Sequence, residues 1–513
     1  MKKTSTKNTR KKETEELDVH FQETPGGNKK WYIRMFEPKE DKVENMNRQI
    51  LHMAVLVAVL FLGLIGYLIK FQLYDSTKVV ANPYNKRINT YGENMVRGTI
   101  YSANGKELAL TNVDEKGEKE RIYPYDNMFA HVVGMDSHGK MGLESICNYR
   151  LLTSNANPFA LIFNSLKGED NLGDNVITTL DTRIQKAAYN ALGDRKGAVV
   201  AMEPSTGKVL AMVSKPDFDP NTISQDWEKY VGDGSKSNLL NRATQGLYPP
   251  GSTFKILTAL SYIQQNPEDY ENYHYQCDST ILENSVKVSC YGGSSHGKVD
   301  LATSLAKSCN TSFVHLGCSL NQNKLRGLCE TFFFNKEIDF DIDVKESTYK
   351  VSGMSDKSLI PQTVIGQGDT LVTPLHNAMI ISAIANDGVL MKPYLVDSLT
   401  DFTGRTVKTY QPEKEGRLIS EEEAAVMKEY LRQVVTDGTG SKLDVKDYKA
   451  AGKTGTAETG TGEDHAWFVG FTGMKKSKIC VSVIVEQGGS GSQAAVPVAK
   501  TVFDAYYDNE MNR

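Results

Sequence analysis

The strongest hydrophobic pattern in the chain is an uninterrupted apolar stretch near its N-terminus. Residues 50–69 read ILHMAVLVAVLFLGLIGYLI and carry no formal charge. One helix of this length can cross a bilayer, although a buried core helix has the same pattern. A cleaved signal peptide is a poorer fit, because a long polar segment precedes the apolar stretch. We therefore predict a single, uncleaved transmembrane helix at residues 50–70.

The polar residues before this helix predict its orientation. Residues 1–49 lack hydrophobic periodicity and begin with a cluster rich in Lys and Arg, while acidic residues are interleaved closer to the helix. Polar segments without periodicity tend to be disordered, and positive charge favours the cytoplasmic side of a membrane. We expect a largely disordered cytoplasmic tail at residues 1–49 and an extracytoplasmic location for everything after Lys70.

Short strand-like patterns follow the apolar helix and indicate a small module. Residues 71–172 are rich in Tyr and Asn and contain runs such as VRGTIYS, followed by the turn Asn104-Gly105. The stretch GEDNLGDN at residues 168–175 has the composition of a linker. We predict a smaller module at residues 71–172 and a larger domain at residues 173–513.

The larger domain combines helix and strand patterns. Asp181 is predicted to cap an amphipathic helix, TRIQKAAYNAL. The runs KGAVVAM and KVLAMVS form one predicted hairpin, and HAWFVGF and KICVSVIVE form a second one before a closing helix, AKTVFDAYY. Aromatic strand residues usually pack inward, so Trp467 and Phe468 are expected in the core. Strands at both ends of a helix-rich middle predict an α+β domain whose antiparallel sheet is completed late in the chain.

Composition excludes some classes of protein. The 513 residues are 40% hydrophobic with a net charge of -4, which allows at least two cores but gives no extended basic surface. We expect no nucleic-acid partner, and no metal-ligand motif stands out. The seven cysteines include Cys277 and Cys290, which flank a predicted strand pair, CDSTILENSVKVSC. Either a disulfide between them or two separate buried thiols fits this pattern.

Candidate chemistry begins in the segment YPPGSTFKILTALSYI. Its turn, Pro249-Pro250-Gly251, precedes a helix that is apolar almost all round and is therefore predicted to be buried. Ser252 and Lys255 lie in the first turn, three residues apart and so on one face. Desolvation lowers the pKa of a buried lysine, which would make Lys255 a base for the Ser252 hydroxyl. For the pair alone, a surface helix with a lysine reaching into solvent is the simpler explanation.

Two further motifs follow at domain-scale spacing. Ser308-Cys309-Asn310 lies in the middle of the larger domain, and Lys453-Thr454-Gly455-Thr456 lies near its end. Each could be ordinary, as a turn or helix cap in the first case and an exposed loop in the second. Together with the first pair, and in this order, they form the motif set of serine acyl-transfer enzymes of the β-lactamase and penicillin-binding class.

From about residue 80 to residue 505 the sequence resembles the class B, monofunctional penicillin-binding proteins, and most of all their short penicillin-binding protein A type. The resemblance rests on GAVVAMEPSTGKVLAMVSKPDFDPN, YPPGSTFK, GQGDTLVTPLHNA, IANDG, GTG at residues 438–440, and AGKTGTAE followed by HAWFVGF. Asn82, Asn85 and Arg87, with RGTIYSANGKELA, resemble that family's non-catalytic pedestal domain. The resemblance implies a penicillin-binding, serine β-lactamase-like transpeptidase fold for the larger domain and a pedestal or dimerisation-like module before it.

The resemblance also implies roles for the residues of the first two motifs. Ser252 would be the acylated nucleophile and Lys255 its base. Ser308 would relay a proton towards the leaving amine, and Asn310 would bind the acyl-donor peptide. The backbone N–H groups of Ser252 and Thr456 would form the oxyanion hole.

In the third motif, Lys453 is implied to supply positive charge, and Thr454, Gly455 and Thr456 to bind substrate. Thr456 would help to hold the terminal carboxylate of the donor. Gly455 would let its strand approach the substrate closely, since a side chain there would collide with the peptide laid alongside.

The reaction that the resemblance implies is peptidoglycan D,D-transpeptidation. A stem peptide ending in D-Ala-D-Ala would acylate the serine, and an amine on a neighbouring strand would accept the acyl group, while a β-lactam antibiotic would acylate the serine and stay. The resemblance implies a glycan-polymerising membrane partner and calls for no metal or organic cofactor. The alternatives are a β-lactamase, a D,D-carboxypeptidase that uses water as acceptor, and a non-catalytic cell-wall scaffold or β-lactam sensor.

Overall fold

The computed structural model describes residues 44–71, 95–156, 158–167, 170–232, 237–460 and 462–511. Most of the predicted tail, together with Asn82, Asn85 and Arg87, lies outside the described residues. The described helices span, in chain order, Glu44–Lys70, Ala130–Val133, Gly142–Ile146, Asn148–Leu151, Pro158–Lys167, Thr182–Leu192, Ile223–Gly232, Arg242–Gln245, Lys255–Gln265, Leu301–Ala306, Asn310–Ser319, Gln322–Thr331, Ile360–Thr363, Pro374–Ala385, Glu421–Thr436 and Gly491–Met511. The described strands are β1 Met95–Val96, β2 Ile100–Tyr101, β3 Glu107–Val113, β4 Lys119–Ile122, β5 Asn171–Leu172, β6 Asn175–Thr178, β7 Gly197–Met202, β8 Val209–Lys215, β9 His274–Cys277, β10 Thr280–Glu283, β11 Val286–Ser289, β12 Gly297–Asp300, β13 Val389–Met391, β14 Val396–Thr400, β15 Thr406–Thr409, β16 Lys414–Arg417, β17 Ala450–Ala457, β18 His465–Thr472 and β19 Cys480–Val485.

The predicted transmembrane segment forms one continuous helix, Glu44–Lys70. Its Ile50–Lys70 part is long and apolar enough to cross a membrane, and no other helix among the described residues is. The large apolar side chains of this part, such as Leu62, are exposed rather than packed in a core. An unpacked helix that is hydrophobic all round suits an apolar solvent, which argues against the core-helix alternative.

The larger domain is organised around a five-stranded sheet with the strand order β17-β18-β19-β7-β8. Both predicted hairpins are present, because β7 pairs with β8 and β18 pairs with β19, each antiparallel. β19 also pairs antiparallel with β7, which joins strands from the two ends of the domain. One of the two edge strands is β17, which carries the third motif. The sheet is therefore completed late in the chain, as predicted.

Helices cover both faces of this sheet, which explains why its strands read as continuous apolar runs. Along β18 the side chains alternate between two cores, as expected for a strand. Phe468 packs on the side of the helices Thr182–Leu192 and Gly491–Met511, whereas Trp467 packs on the side of the helix Pro374–Ala385. Both rings are fully buried. The prediction that they belong to the core is confirmed.

Local sequence signals set several element boundaries as predicted. The Asp181 side chain accepts a hydrogen bond of 2.8 Å from the backbone N–H of Arg183 and so caps the helix Thr182–Leu192. Asn104-Gly105 forms the turn between β2 and β3, with a φ of +72° at Gly105 that favours glycine. The segment between the two neighbouring cysteines folds into the antiparallel hairpin of β10 and β11.

A second, six-stranded sheet has the order β15-β14-β6-β2-β3-β4. Its third strand, β6, comes from residues at and just after the predicted linker, and β5 pairs with β1. The predicted linker at residues 168–175 therefore contains β5 and the first residue of β6. Local composition suggested a turn-rich connection, but β6 pairs with β14, more than two hundred residues later in the chain, and a local pattern carries no information about such a partner.

The smaller module is built around a buried ion triad. Glu144 is fully buried and its carboxylate accepts hydrogen bonds from Arg97 Nε and Arg121 Nε, both at 2.7 Å. Burial alone would raise the pKa of Glu144, but the charges and hydrogen bonds of Arg121 and Arg97 outweigh it and lower that pKa. The triad ties the short helix Gly142–Ile146 to β4 and to the segment before β2.

Candidate active site

Ser252 lies in a tight turn, Gly251–Thr253, directly before the helix Lys255–Gln265. The turn can lie against β17 only because residue 251 is a glycine. Its φ is +52°, and a Cβ atom at this position would lie 2.5 Å from the carbonyl oxygen of Thr456. The Gly251 N–H also donates to Gly366 O at 2.9 Å. These contacts hold the half-buried Ser252 beside the third motif.

Lys255 begins the buried helix and has no solvent-exposed surface. All three acceptors of its Nζ come from the second motif: Asn310 Oδ1 at 2.6 Å, Ser308 O at 2.8 Å and Ser308 Oγ at 3.4 Å. Burial lowers the pKa of Lys255 to about 8. The sequence prediction of a buried lysine with a lowered pKa agrees with this environment, and the surface-helix alternative does not.

The second motif is an irregular turn that leads into the helix Asn310–Ser319. Ser308 has a φ of +56°, which is uncommon for a residue other than glycine. Cys309 is the N-cap, and its Sγ accepts from the Ser312 N–H at 3.4 Å. Asn310 donates through Nδ2 to Ser289 O at 2.9 Å while its Oδ1 accepts from Lys255. The motif is thus a helix cap, as the ordinary alternative had it, and it also contacts the buried lysine.

Lys453 approaches the same serine from the sheet. It is fully buried, and its Nζ donates to Ser308 Oγ and to Thr454 O, both at 2.9 Å. Burial, and then the charge of Lys255, lower the pKa of Lys453 well below its ordinary value. Within the described part of the chain, neither lysine forms a salt bridge with a carboxylate. The Ser308 hydroxyl therefore lies between two buried amines.

The outer edge of β17 presents backbone groups to the turn that carries Ser252. Residues two apart in a strand point their N–H and C=O groups to the same side. The carbonyl of Ala450 accepts from Arg432 at 2.7 Å, and that of Thr454 accepts from Lys453 Nζ, both away from β18. The N–H of Thr456 therefore also points away from β18, towards the turn.

Gly455 lies in close contact with its own protein. A Cβ atom at this position would lie 2.9 Å from Trp467 Cβ, 3.0 Å from Thr253 Cγ2 and 3.2 Å from Pro250 O. These atoms belong to the core and to the turn that carries Ser252. The glycine makes room for the packing of the turn on the sheet. The prediction that a side chain there would collide with the substrate peptide stays a prediction.

The three motifs meet in a groove with a volume of about 780 Å³. Ser252, Ser308, Asn310, Thr454, Gly455 and Thr456 all line it, while Lys255 and Lys453 lie beneath them. Other parts of its lining come from the segment 287–292, from Gln362 to Gln367, and from residues 490–493. The sequence did not assign these segments to the groove, because a local pattern carries no information about distant neighbours in the fold.

Two contacts that shape the groove come from sequence runs that carry the family resemblance, but the sequence did not predict these contacts. Thr439, from the GTG run, is hydrogen-bonded through its hydroxyl to the Thr454 hydroxyl. Gly366, from the GQGD run, has a φ of +79°, and a Cβ there would lie 2.1 Å from Gly251 O. Both runs therefore hold the first and third motifs in place.

Comparison with known proteins agrees with this geometry. Residues 197–504 match the penicillin binding protein transpeptidase domain, and residues 97–176 match the penicillin binding protein A dimerisation domain. The peptidoglycan D,D-transpeptidase PbpA of Mycolicibacterium smegmatis is 34% identical over 490 residues, which cover 90% of this chain and 99% of the relative. PbpA of Mycobacterium tuberculosis is 33% identical over 497 residues, which cover 91% of this chain and 100% of the relative.

Solved structures give the same result. The ceftriaxone acyl-enzyme complex of penicillin-binding protein A from M. tuberculosis has a TM-score of 0.75 and 33% identity, over 82% of this chain and 99% of that one. The chain therefore belongs to the penicillin-binding protein transpeptidase family. It is a serine-type D,D-transpeptidase, and its smaller module is of the penicillin-binding protein A dimerisation type. The predictions of family, fold class and enzyme class are confirmed.

Proposed function

We propose that this chain cross-links peptidoglycan stem peptides through an acyl-enzyme on Ser252 and that β-lactams inhibit it by acylating the same hydroxyl. The observation that carries the proposal is the convergence of two buried amines on Ser308, beside a groove that Ser252 lines. A lysine without a carboxylate partner is costly to bury, so its place here calls for a chemical use. The acyl-enzyme complexes known for the M. tuberculosis relative support the same reaction.

In the acylation step, Lys255 would act as the general base. With a pKa of about 8, a useful fraction of this lysine is neutral near neutral pH. It takes the proton of Ser252 as the serine oxygen attacks the penultimate D-Ala carbonyl. The C–N bond then breaks, and the terminal D-Ala leaves with a proton relayed through Ser308. An amine on a neighbouring strand later displaces the serine ester.

The oxyanion that forms during attack would be held by two backbone donors, the N–H groups of Ser252 and Thr456. Support comes from the outward orientation of the Thr456 N–H and from the close seating of the Ser252 turn on β17. Preorganised donors of this kind stabilise developing negative charge, and loss of one typically costs about a hundredfold in rate or more.

Lys453 and the residues after it would bind the carboxylate of the donor peptide. Burial favours the neutral amine of Lys453, and an anionic substrate group would supply the counter-charge that favours its ammonium form. Thr454 and Thr456 line the groove beside it, and Asn310 would bind the donor backbone. Binding of substrate would thus be coupled to protonation of Lys453.

The membrane arrangement and the partner are also proposals. The helix Ile50–Lys70 would anchor the chain with its N-terminus in the cytoplasm and the transpeptidase domain outside. The 97–176 module would contact a membrane partner that polymerises glycan. Protease treatment tests the orientation. The protease is added to cells whose outer layers are removed, either with the membrane intact or with the membrane opened. While the membrane is intact, only an extracytoplasmic domain is digested.

The test of the acyl-enzyme is intact-mass analysis of the full chain in detergent after incubation with benzylpenicillin. Wild type, Ser252→Ala and a control, Ser398→Ala, are compared. Ser398 is also half-buried, but it lies on β14, away from the groove. We expect one stable adduct in wild type and in the control, and none in Ser252→Ala.

The other outcomes separate the alternatives. No adduct with intact drug would favour a non-catalytic scaffold, and no adduct with consumed drug would favour a β-lactamase. An adduct on Ser252→Ala would show that another residue is the nucleophile. A purified stem peptide with an added amine acceptor then distinguishes a transpeptidase from a carboxypeptidase, since only the former yields the amide-linked dimer.

A further inference from the structure

Three cysteines and a histidine meet behind the second motif. Cys277 Sγ lies 3.7 Å from Cys290 Sγ and 3.4 Å from His296 Nδ1, and Cys290 Sγ lies 3.8 Å from Cys309 Sγ. All four ligand atoms lie within 4.8 Å of one another. The three cysteines are buried and His296 is half-buried. None of the seven cysteines of the chain forms a disulfide, so of the two alternatives for Cys277 and Cys290 the structure has two separate buried thiols.

The segment that supplies three of these residues has little core of its own. Cys277 ends β9, Cys290 follows β11, and His296 precedes β12. β9 to β12 form two separate two-stranded sheets, and most of their side chains are exposed or half-buried. The cysteine cluster is itself the apolar centre of the segment. Isolated two-stranded sheets are marginal in water, and small units of this kind usually need a disulfide or a metal.

Three of the six distances between the ligand atoms match a tetrahedral zinc centre. With Zn–S bonds of about 2.3 Å and a Zn–N bond of about 2.0 Å, tetrahedral geometry places two sulfurs about 3.8 Å apart and a sulfur and a nitrogen about 3.5 Å apart. The observed contacts of 3.7, 3.8 and 3.4 Å agree with these separations. A disulfide would need the two sulfurs at about 2.05 Å and would leave the third cysteine unused.

Hydrogen-bond donors next to the cysteine sulfurs favour thiolate ligands. The Thr311 hydroxyl donates to Cys277 Sγ at 3.2 Å and lies 3.4 Å from Cys309 Sγ, and the Ser312 N–H donates to Cys309 Sγ. Both residues belong to the first turn of the helix Asn310–Ser319, whose N-terminal N–H groups also favour negative charge. Donors around a metal centre stabilise and orient its ligands.

We propose that Cys277, Cys290, Cys309 and His296 bind one Zn²⁺ in a closed, structural site. Binding would release three thiol protons and leave three thiolates and one neutral imidazole around the ion. Because four protein ligands complete the tetrahedron, the ion has no open position for chemistry. The site would join the β9–β12 segment to the helix that carries the second motif.

The position of Cys309 gives the site a consequence for the groove. Cys309 lies between Ser308 and Asn310, which bind Lys255 and Lys453, and Asn310 also donates to Ser289 O, next to Cys290. The metal would therefore act as a positioning element for the second motif. Zinc content itself does not depend on acylation of Ser252, so this proposal and the proposed function can fail separately.

The experiment measures metal in the full chain, purified in detergent without chelator or reductant from cells grown with added zinc chloride. Wild type is compared with Cys277→Ser/Cys290→Ser, with His296→Ala, and with a matched control, Cys318→Ser. Cys318 is half-buried and lies outside the cluster. We expect about one zinc per chain in wild type and in the control, and almost none in the double variant. His296→Ala should bind zinc about tenfold more weakly or worse.

Two further measurements use the wild-type chain and therefore test the proposal even if a variant folds poorly. Replacement of zinc by Co²⁺ in wild type should give the thiolate-to-cobalt charge-transfer band and the intense visible bands of a tetrahedral site. Mass analysis after alkylation of the denatured, unreduced chain should find the three thiols free once the metal is removed. A disulfide between Cys277 and Cys290, or a zinc content in wild type no higher than in the double variant, would overturn the proposal.

If zinc positions the second motif, its removal should slow benzylpenicillin acylation, and re-addition of zinc chloride should restore it. The Cys318→Ser control should respond as wild type does. Zinc that is bound and removed without any change in acylation would refute the positioning role.

Discussion

The pKa of Lys255 predicts a specific pH dependence for acylation. A lysine acts as a base only when it is neutral, and a pKa of about 8 makes about one lysine in eleven neutral at pH 7 and about ten in eleven at pH 9. The rate constant for acylation by benzylpenicillin should therefore rise about tenfold over this range and level off above it. An ordinary lysine, with a pKa near 10.4, would give a rate that still rises about tenfold per unit at pH 9.

The groups that face Lys255 affect the pH at which this profile has its midpoint. Lys453 lies across the Ser308 hydroxyl, the thiols of Cys309 and Cys290 lie behind the second motif, and the Phe313 ring lies 5.4 Å from Nζ. A positive charge on Lys453 would lower the pKa of Lys255 further, whereas negative charge on the thiols would raise it. The midpoint can therefore move with the state of these groups, but the rise with pH stays in the same direction.

The assay is the second-order rate of labelling by a fluorescent penicillin from about pH 6 to about pH 9.5. Lys255→Arg keeps the positive charge but cannot supply a neutral base, so its labelling should be slow at every pH. Lys350→Arg is the control, since Lys350 is largely exposed and does not line the groove. A flat wild-type profile across this range, or a Lys255→Arg variant with the wild-type rise, would refute Lys255 as the base.

Two further predictions concern packing and charge. Gly455→Ala should destabilise the full chain by about 1–3 kcal/mol and slow acylation, because the new Cβ would press on Trp467 at 2.9 Å. Thermal unfolding measures the loss of stability, and penicillin labelling measures the rate of acylation. Gly416→Ala is the control and should have little effect, because a Cβ atom at that position meets open space. Glu144→Gln should cost about 3–5 kcal/mol by leaving two buried arginines without their anion, whereas Glu330→Gln, in an exposed pair, should cost less than about 1 kcal/mol. Since the pKa of Glu144 is lowered on folding, its contribution is present above the carboxyl's unfolded pKa and is lost as the pH falls through the folded value. Equal melting temperatures for Glu144→Gln and wild type, or for Gly455→Ala and wild type, would contradict the reasoning.

Local patterns predicted the five-stranded sheet because its strands and turns are encoded next to one another. The two hairpins of β7–β8 and β18–β19, the capped helix after Asp181 and the buried helix after Ser252 all follow from periodicity and turn residues within a few positions. The six-stranded sheet could not be predicted in this way. Its strand β6 needs partners from before residue 102 and after residue 395, and short strands of two to five residues carry little periodicity.

The three motifs were predictable as a set, but their physical contacts were not. The spacing of Ser252 and Lys255 indicates one helix face, yet the acceptors of Lys255 come from residues more than fifty positions later. Gly455 shows the same limit. Its motif predicts a close approach to the substrate, and the structure shows a close approach to the turn that carries Ser252.

The cysteine and histidine cluster escaped sequence reasoning because its ligands lack the short spacing of familiar zinc motifs. Each of the four residues stands at the end of a different short element, and the pairing of β9 with β12 brings Cys277 opposite Gly297, next to His296. The sequence pattern shows only two cysteines around a hairpin, which fits a disulfide or two thiols equally well. The choice depends on the third cysteine, which follows a separate helix.

The second motif combines features that destabilise a fold, and the cysteine and histidine cluster would hold this motif in place. Ser308 holds a left-handed conformation that costs a residue with a side chain about 1–2 kcal/mol, and its hydroxyl and carbonyl face two buried amines. The motif is also attached to a segment of two-stranded sheets with little core. Strained backbone persists at functional sites only where the surroundings fix it firmly. Helix capping by Cys309 fixes one side of the turn, and a metal bound to the same sulfur would fix the other. The residue that caps the helix would then also anchor the motif to the wall of the groove.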